Sequence, residues 1–204
     1  MGMVLSLCTL SDLTIARVLT DPPLIWRVVA PDDAEAYAEA RARKDRRGCL
    51  AGLLGRRPPP APAVPVAELG LGDDEGIDTD LDKAWHGVHF LLTGTAWAGE
   101  PPLDFLVAGG QPVGGEDLGY GPGRVFSAAE VRRIHAAVAA IPDEELARRY
   151  SPDAMKEADI YPSIWDREPE ADDAREYVLS YVTTLREFLT NASGRGMGML
   201  VYLS

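Results

Sequence analysis

Cysteine occurs only twice in the 204 residues, as Cys8 and Cys49. Cys8 lies in an apolar, strand-like run and Cys49 beside a basic stretch, so no disulfide framework is readable and reduced, unreactive thiols are expected. Histidine is nearly as scarce, at three residues. There is no Cys/His cluster and no HExxH motif, so no metal site and no cofactor are expected. No serine sits in a GxSxG elbow and neither cysteine has a recognisable histidine partner, which leaves no readable nucleophile. Long hydrophobic runs are missing too. None approaches the roughly 20 apolar residues that cross a bilayer, and no charged leader with a long apolar stretch marks a signal peptide, so the expected location is cytoplasmic, away from membranes. Basic charge is the last shortage, with 20 Lys+Arg against 32 Asp+Glu and a net charge of -12. Such a chain repels polyphosphate and attracts basic partners, so nucleic acid is excluded and a basic protein or a small polar ligand is the expected partner.

What remains is ordinary for a folded domain: 46% hydrophobic and 25% charged residues, in a length that suits one domain. Of the 20 basic residues 17 are Arg, which together with abundant Ala, Gly and Pro fits a GC-rich bacterial genome. Residues 3 to 9 read as an apolar strand, and Ser11-Asp12 can cap a helix through Leu13, Ala16 and Leu19. Residues 34 to 43 are strong helix formers, acidic first and basic last, as the helix dipole favours. Residues 44 to 66 are basic, then carry Pro58, Pro59, Pro60, Pro62 and Pro65, and read as an exposed insertion. The acidic run from Asp73 to Asp82 lacks calcium-loop spacing and is expected to be a solvated approach to a helix. That helix carries Leu81, Trp85, Val88 and Leu92 and stops at Gly94. Leu103 to Val107 fits a strand or a helical turn equally well. Ser127 with Glu130 forms a capping box, and Ser151-Pro152 opens a further helix. A long helix spans about 172 to 192, and Met197 to Leu203 closes the chain as a strand. Strands at both ends with helices between them predict a single three-layer α/β or α+β domain, with a mixed sheet that joins the termini and helices on both faces.

Three groups of residues could carry chemistry. Asp82, His86 and His89, four and then three residues apart on one helix, project from neighbouring positions and could offer two metal ligands or a general base. No third ligand is apparent, and a hydrogen-bonded histidine at the core boundary explains the same spacing. The loop 109–123 holds seven glycines and carries Glu116, Asp117, Tyr120 and Arg124 before the helix at Ser127. It is no Rossmann fingerprint, because no GxGxxG spacing follows a clear strand and two adjacent carboxylates oppose a phosphate. Either a ligand-lining loop or a tight structural turn fits it. Tyr161-Pro162-Ser163-Ile164-Trp165 places aromatics in an irregular stretch that lines a cleft or plugs the core.

Met1-Gly2-Met3, the run Leu81-Asp82-Lys83-Ala84-Trp85-His86-Gly87-Val88-His89-Phe90-Leu91-Leu92-Thr93-Gly94, and Asp159-Ile160-Tyr161-Pro162 together resemble the YfbM-like family of bacterial proteins of unknown function. The resemblance implies a compact cytosolic α/β domain and brings no activity, cofactor or catalytic residue; the stretch 44–66 is not one of its features. It draws attention to Asp82, Trp85, His86, His89, Thr93, Glu116, Tyr120, Arg124 and Tyr161, which are expected to converge on one cleft. Two functions compete: an acidic binding or interaction module for a basic partner, and an enzyme or small-molecule binder using His86 or His89 as a base.

Overall fold

The computed structural model describes residues 2–52, 70–167 and 173–204. Its centre is the pairing of the two terminal strands, β1 (Leu5–Leu10) and β5 (Gly198–Leu203), antiparallel in register from Leu5↔Leu203 to Leu10↔Gly198. Their side chains alternate between faces, as the strand repeat requires. Leu5, Leu7, Met199 and Val201 enter one apolar cluster, while Cys8, Leu10 and Leu200 enter another on the opposite face. Cys8 is a buried free thiol whose pKa burial pushes up to about 12, so it stays protonated and inert. The side chain of Cys49 lies outside the described residues.

Short strands complete the sheet. β2 (Asp78–Asp80) pairs with β1, β4 (Arg124–Phe126) with β5, and β3 (Gln111–Pro112) with β4, in the order β2-β1-β5-β4-β3. Every pairing among the described residues is antiparallel, so the mixed sheet expected from the sequence is corrected to an antiparallel one. Pro112 is tolerated because β3 is an edge strand. The acidic run is likewise corrected. Asp78-Thr79-Asp80 is an edge strand and not a helix approach, because β1 supplies backbone partners whatever the side chains are.

One face is covered by α1 (Asp12–Thr20), capped by Ser11 as expected, and by α2 (Trp26–Val29), against which α3 (Ala34–Gly52) packs. Helix α3 therefore runs into the stretch read as an insertion, whose proline-rich part lies outside the described residues. The other face carries α4 (Trp85–Thr93), α5 (Ala128–Ala139), α6 (Asp143–Arg149), α7 (Pro152–Glu157) and α8 (Ala174–Gly194). The three layers and the helices on both faces match the expected architecture. The capping box of Ser127 and Glu130 is formed, and Leu103 to Val107 settles as consecutive turns. Gly194 lies within α8, and Gly196, at φ 67°, makes the left-handed turn into β5.

Helix α4 is buried from Trp85 to Leu92, the signature of a helix that is apolar all round. Its neighbour α8 and the ring of Trp165 approach so closely that a Cβ on Gly87 would lie 2.5 Å from Trp165 and 3.0 Å from Val178. Gly87→Ala is therefore expected to cost about 2 kcal/mol through overpacking, despite alanine's better helix propensity. Urea unfolding measures it, and an unchanged or raised midpoint would contradict this packing.

Candidate functional site

The chain enters α4 from β2 through a tight turn at Asp82–Ala84, and the three-residue spacing then sets His86 and His89 on the same side. Both are fully buried. The backbone N–H of Tyr161 donates to His86 Nδ1 at 3.0 Å, which leaves the ring proton on Nε2, where it donates to the Ala96 carbonyl at 2.7 Å. His89 Nε2 donates to the Ala98 carbonyl at 3.1 Å, with Thr93 Oγ1 at 3.3 Å from the same nitrogen. A carbonyl only accepts, so this ring too carries its proton on Nε2. The remaining nitrogen, His89 Nδ1, is buried without a partner among the described residues.

The two imidazoles thus hold the carbonyls immediately before and after Trp97. Thr93 and Thr95 tighten the same loop: the Thr95 N–H donates to Thr93 Oγ1 at 3.3 Å, and Thr95 Oγ1 donates to the Ala98 carbonyl. The ring of His86 lies stacked on Trp85 at 4.9 Å and against Trp97 at 4.3 Å. Trp97 nevertheless remains 63% exposed. A large aromatic held in place yet open to water is unusual on a free surface and common at binding hot spots.

Trp97 and Trp85 line a pocket of about 170 Å³ with Leu106, Tyr120, Arg124 and Tyr202. Tyr120 reaches it from the glycine-rich loop and is 51% exposed. Asp117 shapes that loop, accepting the N–H groups of Gly119 at 2.9 Å and Gly121 at 3.0 Å; these bonds hold its carboxyl below the usual carboxylate range. Gly119, at φ 131°, is required because a Cβ would lie 2.9 Å from the backbone of Ser204. Arg124 is not a free cation. Its guanidinium donates to the carbonyls of Phe105, Leu106, Ala108 and Gly109 and pins the turn at 103–109.

The nine residues singled out from the sequence therefore fall into separate groups. Trp85, Tyr120 and Arg124 line the pocket, His86 stands behind its aromatic wall, and His89 and Thr93 brace the loop that carries Trp97. Asp82 and Tyr161 border a different, open cleft of about 650 Å³, where Tyr177 donates to Asp82 at 2.7 Å and Tyr161 Oη accepts the Met3 N–H at 3.0 Å. Glu116 lies on the far side of the sheet, accepting from the Trp26 indole at 2.8 Å and from Arg43 at 3.2 Å. Among the described residues no group of three or more His, Cys, Asp or Glu is placed to hold a metal. Trp97 was not singled out, since a lone tryptophan between alanines has no periodic signal. Its only cue is its place just beyond the stop at Gly94.

The family described as "Domain of unknown function (DUF1877)" matches residues 1–202. This chain belongs to it. Among solved structures, the protein of unknown function YfbM from Escherichia coli aligns with a TM-score of 0.58 at 18% identity, covering 98% of this chain and 99% of that one. That likeness establishes a shared fold, and with the family match it bears out the YfbM-like resemblance read from the sequence. An electron transfer flavoprotein subunit beta from Clostridium acetobutylicum is 34% identical over 98 residues, 47% of this chain. The chain spans only 38% of the length of that curated relative, and a match of that extent transfers no activity. Family membership thus comes with a fold and without a reaction.

Burial favours the neutral form of both histidines, lowering the pKa of His86 and bringing that of His89 from the ordinary 6.5 to about 4. The unfolded chain consequently binds protons that the folded one refuses. Stability is full above pH 6.5 and falls as the pH drops toward 4, by about 3 kcal/mol for His89 alone. Denaturant midpoints between pH 7 and 4 should show this slope, and it should be shallower in His89→Gln; the same slope in both proteins would contradict the assignment.

Proposed function

We propose that this protein is an acidic binding module that receives a basic side chain of a protein partner at the pocket mouth between Trp97 and Tyr120. The carrying observation is that Trp97 is 63% exposed while His86 and His89 fix the carbonyls on both sides of it. An aromatic pre-ordered in this way loses little conformational entropy on binding. Its ring face attracts an arginine or lysine by about 0.5 to 2 kcal/mol, depending on how dry the contact becomes. The net charge of -12 adds long-range attraction for the same kind of partner. The lack of disulfide pairing expected for the cysteines and the arginine-rich composition favour a bacterial cytoplasm as its setting. No helix among the described residues is long and apolar enough to cross a membrane.

The competing enzymatic reading needs His86 or His89 as an accessible base. Both rings are buried, His86 has both nitrogens engaged, and both are braced against loop backbone, which supports a positioning role instead. The test is affinity capture from bacterial lysate at low salt with wild-type protein and with the pair Trp97→Ala, Tyr120→Ala, read by quantitative mass spectrometry. Basic proteins should be retained by the wild type, be released by salt, and fall roughly tenfold with the double variant, as expected for loss of a hot spot. Equal retention by the double variant, or recovery of no basic protein, would overturn the proposal.

A further inference from the structure

The turn pinned by Arg124 has a second cavity on its other side, of about 250 Å³, bounded by this turn, β4 and α5. Phe105, Phe126 and Ile134 give it apolar walls. Its polar groups are three side chains, Asp104, Glu130 and Arg133. The carbonyls of Phe105, Ala108 and Gly109 are already occupied by Arg124, so the turn has few acceptors left for a ligand.

Each of the three polar side chains has unused capacity. Asp104 is 8% exposed; its carboxylate accepts no hydrogen bond from a described residue, and the Arg124 guanidinium, whose N–H groups are spent on carbonyls, acts on it only through its charge. Glu130 uses Oε2 for the Ser127 N–H and hydroxyl, at 2.8 and 2.6 Å, and leaves Oε1 without a partner among the described residues. Arg133 is exposed and makes no ion pair among the described residues. A carboxylate set beside apolar walls attracts a cation more strongly than one in open water, because the local dielectric is lower. The cavity is smaller than the roughly 300 to 1,000 Å³ of ordinary ligand pockets, so its occupant is small.

An apolar body with a cation and an anion at one end is the chemistry of a free α-amino acid. We infer that this cavity binds a free apolar or aromatic α-amino acid, with its ammonium group toward Asp104 and Glu130, its carboxylate toward Arg133 and its side chain among Phe105, Phe126 and Ile134. The site is separate from the Trp97 mouth, with which it shares no lining residue, although Arg124 pins the turn between them.

Titration calorimetry and amide NMR with L-phenylalanine test this, beside phenethylamine, which lacks the carboxylate, and 3-phenylpropionate, which lacks the ammonium. L-Phenylalanine should bind with a Kd on the order of 0.1 to 1 mM, with shifts concentrated in residues 101–110 and 126–134. Each one-ended analogue should bind at least about tenfold more weakly, as should Asp104→Asn and Arg133→Ala, because a charge-assisted hydrogen bond is lost in every case. Arg133 is exposed, so its substitution leaves the fold intact even if Asp104→Asn unfolds, and Trp97→Ala should bind as the wild type does. No shifts at about 10 mM ligand, ten or more times the expected Kd, equal binding of phenethylamine, or undiminished binding by Arg133→Ala would each overturn the inference.

Discussion

A neutral imidazole buried with its N–H on a backbone carbonyl holds that carbonyl more firmly than the same bond would in water, because no solvent competes for either partner. His86 and His89 make this contact to Ala96 and Ala98, and the organisation of the pocket mouth depends on it. The Tyr161 N–H occupies His86 Nδ1, so a proton there would set two donors against each other. The loop with Trp97 and the segment with Tyr161 are thus tied to one side of one helix. Charging His86 would break the bond from Tyr161, whereas charging His89 would keep the bond to Ala98 and be opposed by burial alone.

The fold supplies that burial from both directions. Pairing of the terminal strands creates a two-faced sheet, and the face formed by Leu5, Leu7, Met199 and Val201 receives α4, α5 and α8. Helix α4 contributes its side chains all round, and Gly87 provides the room that Trp165 fills. Arg124 then joins sheet to surface. Standing on β4, it satisfies four carbonyls of a turn that has no ladder of its own, and the cavities on either side of that turn keep their shapes through this one guanidinium. A half-buried arginine so thoroughly bonded is a structural member, and its N–H groups are not on offer to a ligand.

Much of the architecture was legible because it rests on local rules. The capping box at Ser127 and Glu130, the cap at Ser11, the stop at Gly94 and the apolar runs of β1 and β5 are each written in adjacent residues. The antiparallel pairing was not, since direction is decided by connections across the whole chain, and neither was β2, whose Asp-Thr-Asp has no apolar alternation and pairs through backbone alone. At the site, the spacing of His86 and His89 correctly placed them together but left their role open. Whether such a pair faces water or a neighbouring loop depends on segments 94–100 and 159–162 returning over it. Glu116 and Tyr120 belong to one glycine-rich loop and were grouped on that ground, yet the loop turns between them and sends Glu116 to Trp26 and Arg43.

The state of the two rings is observable directly. Long-range proton–nitrogen NMR of the histidine side chains at pH 6 reports tautomer and charge together. The account predicts that His86 and His89 are both neutral with the proton on Nε2, and that His89 titrates only near pH 4. A His89 that titrates near 6.5, or a His86 protonated on Nδ1 at pH 6, would contradict the claim that these rings hold the loop of Trp97 in place.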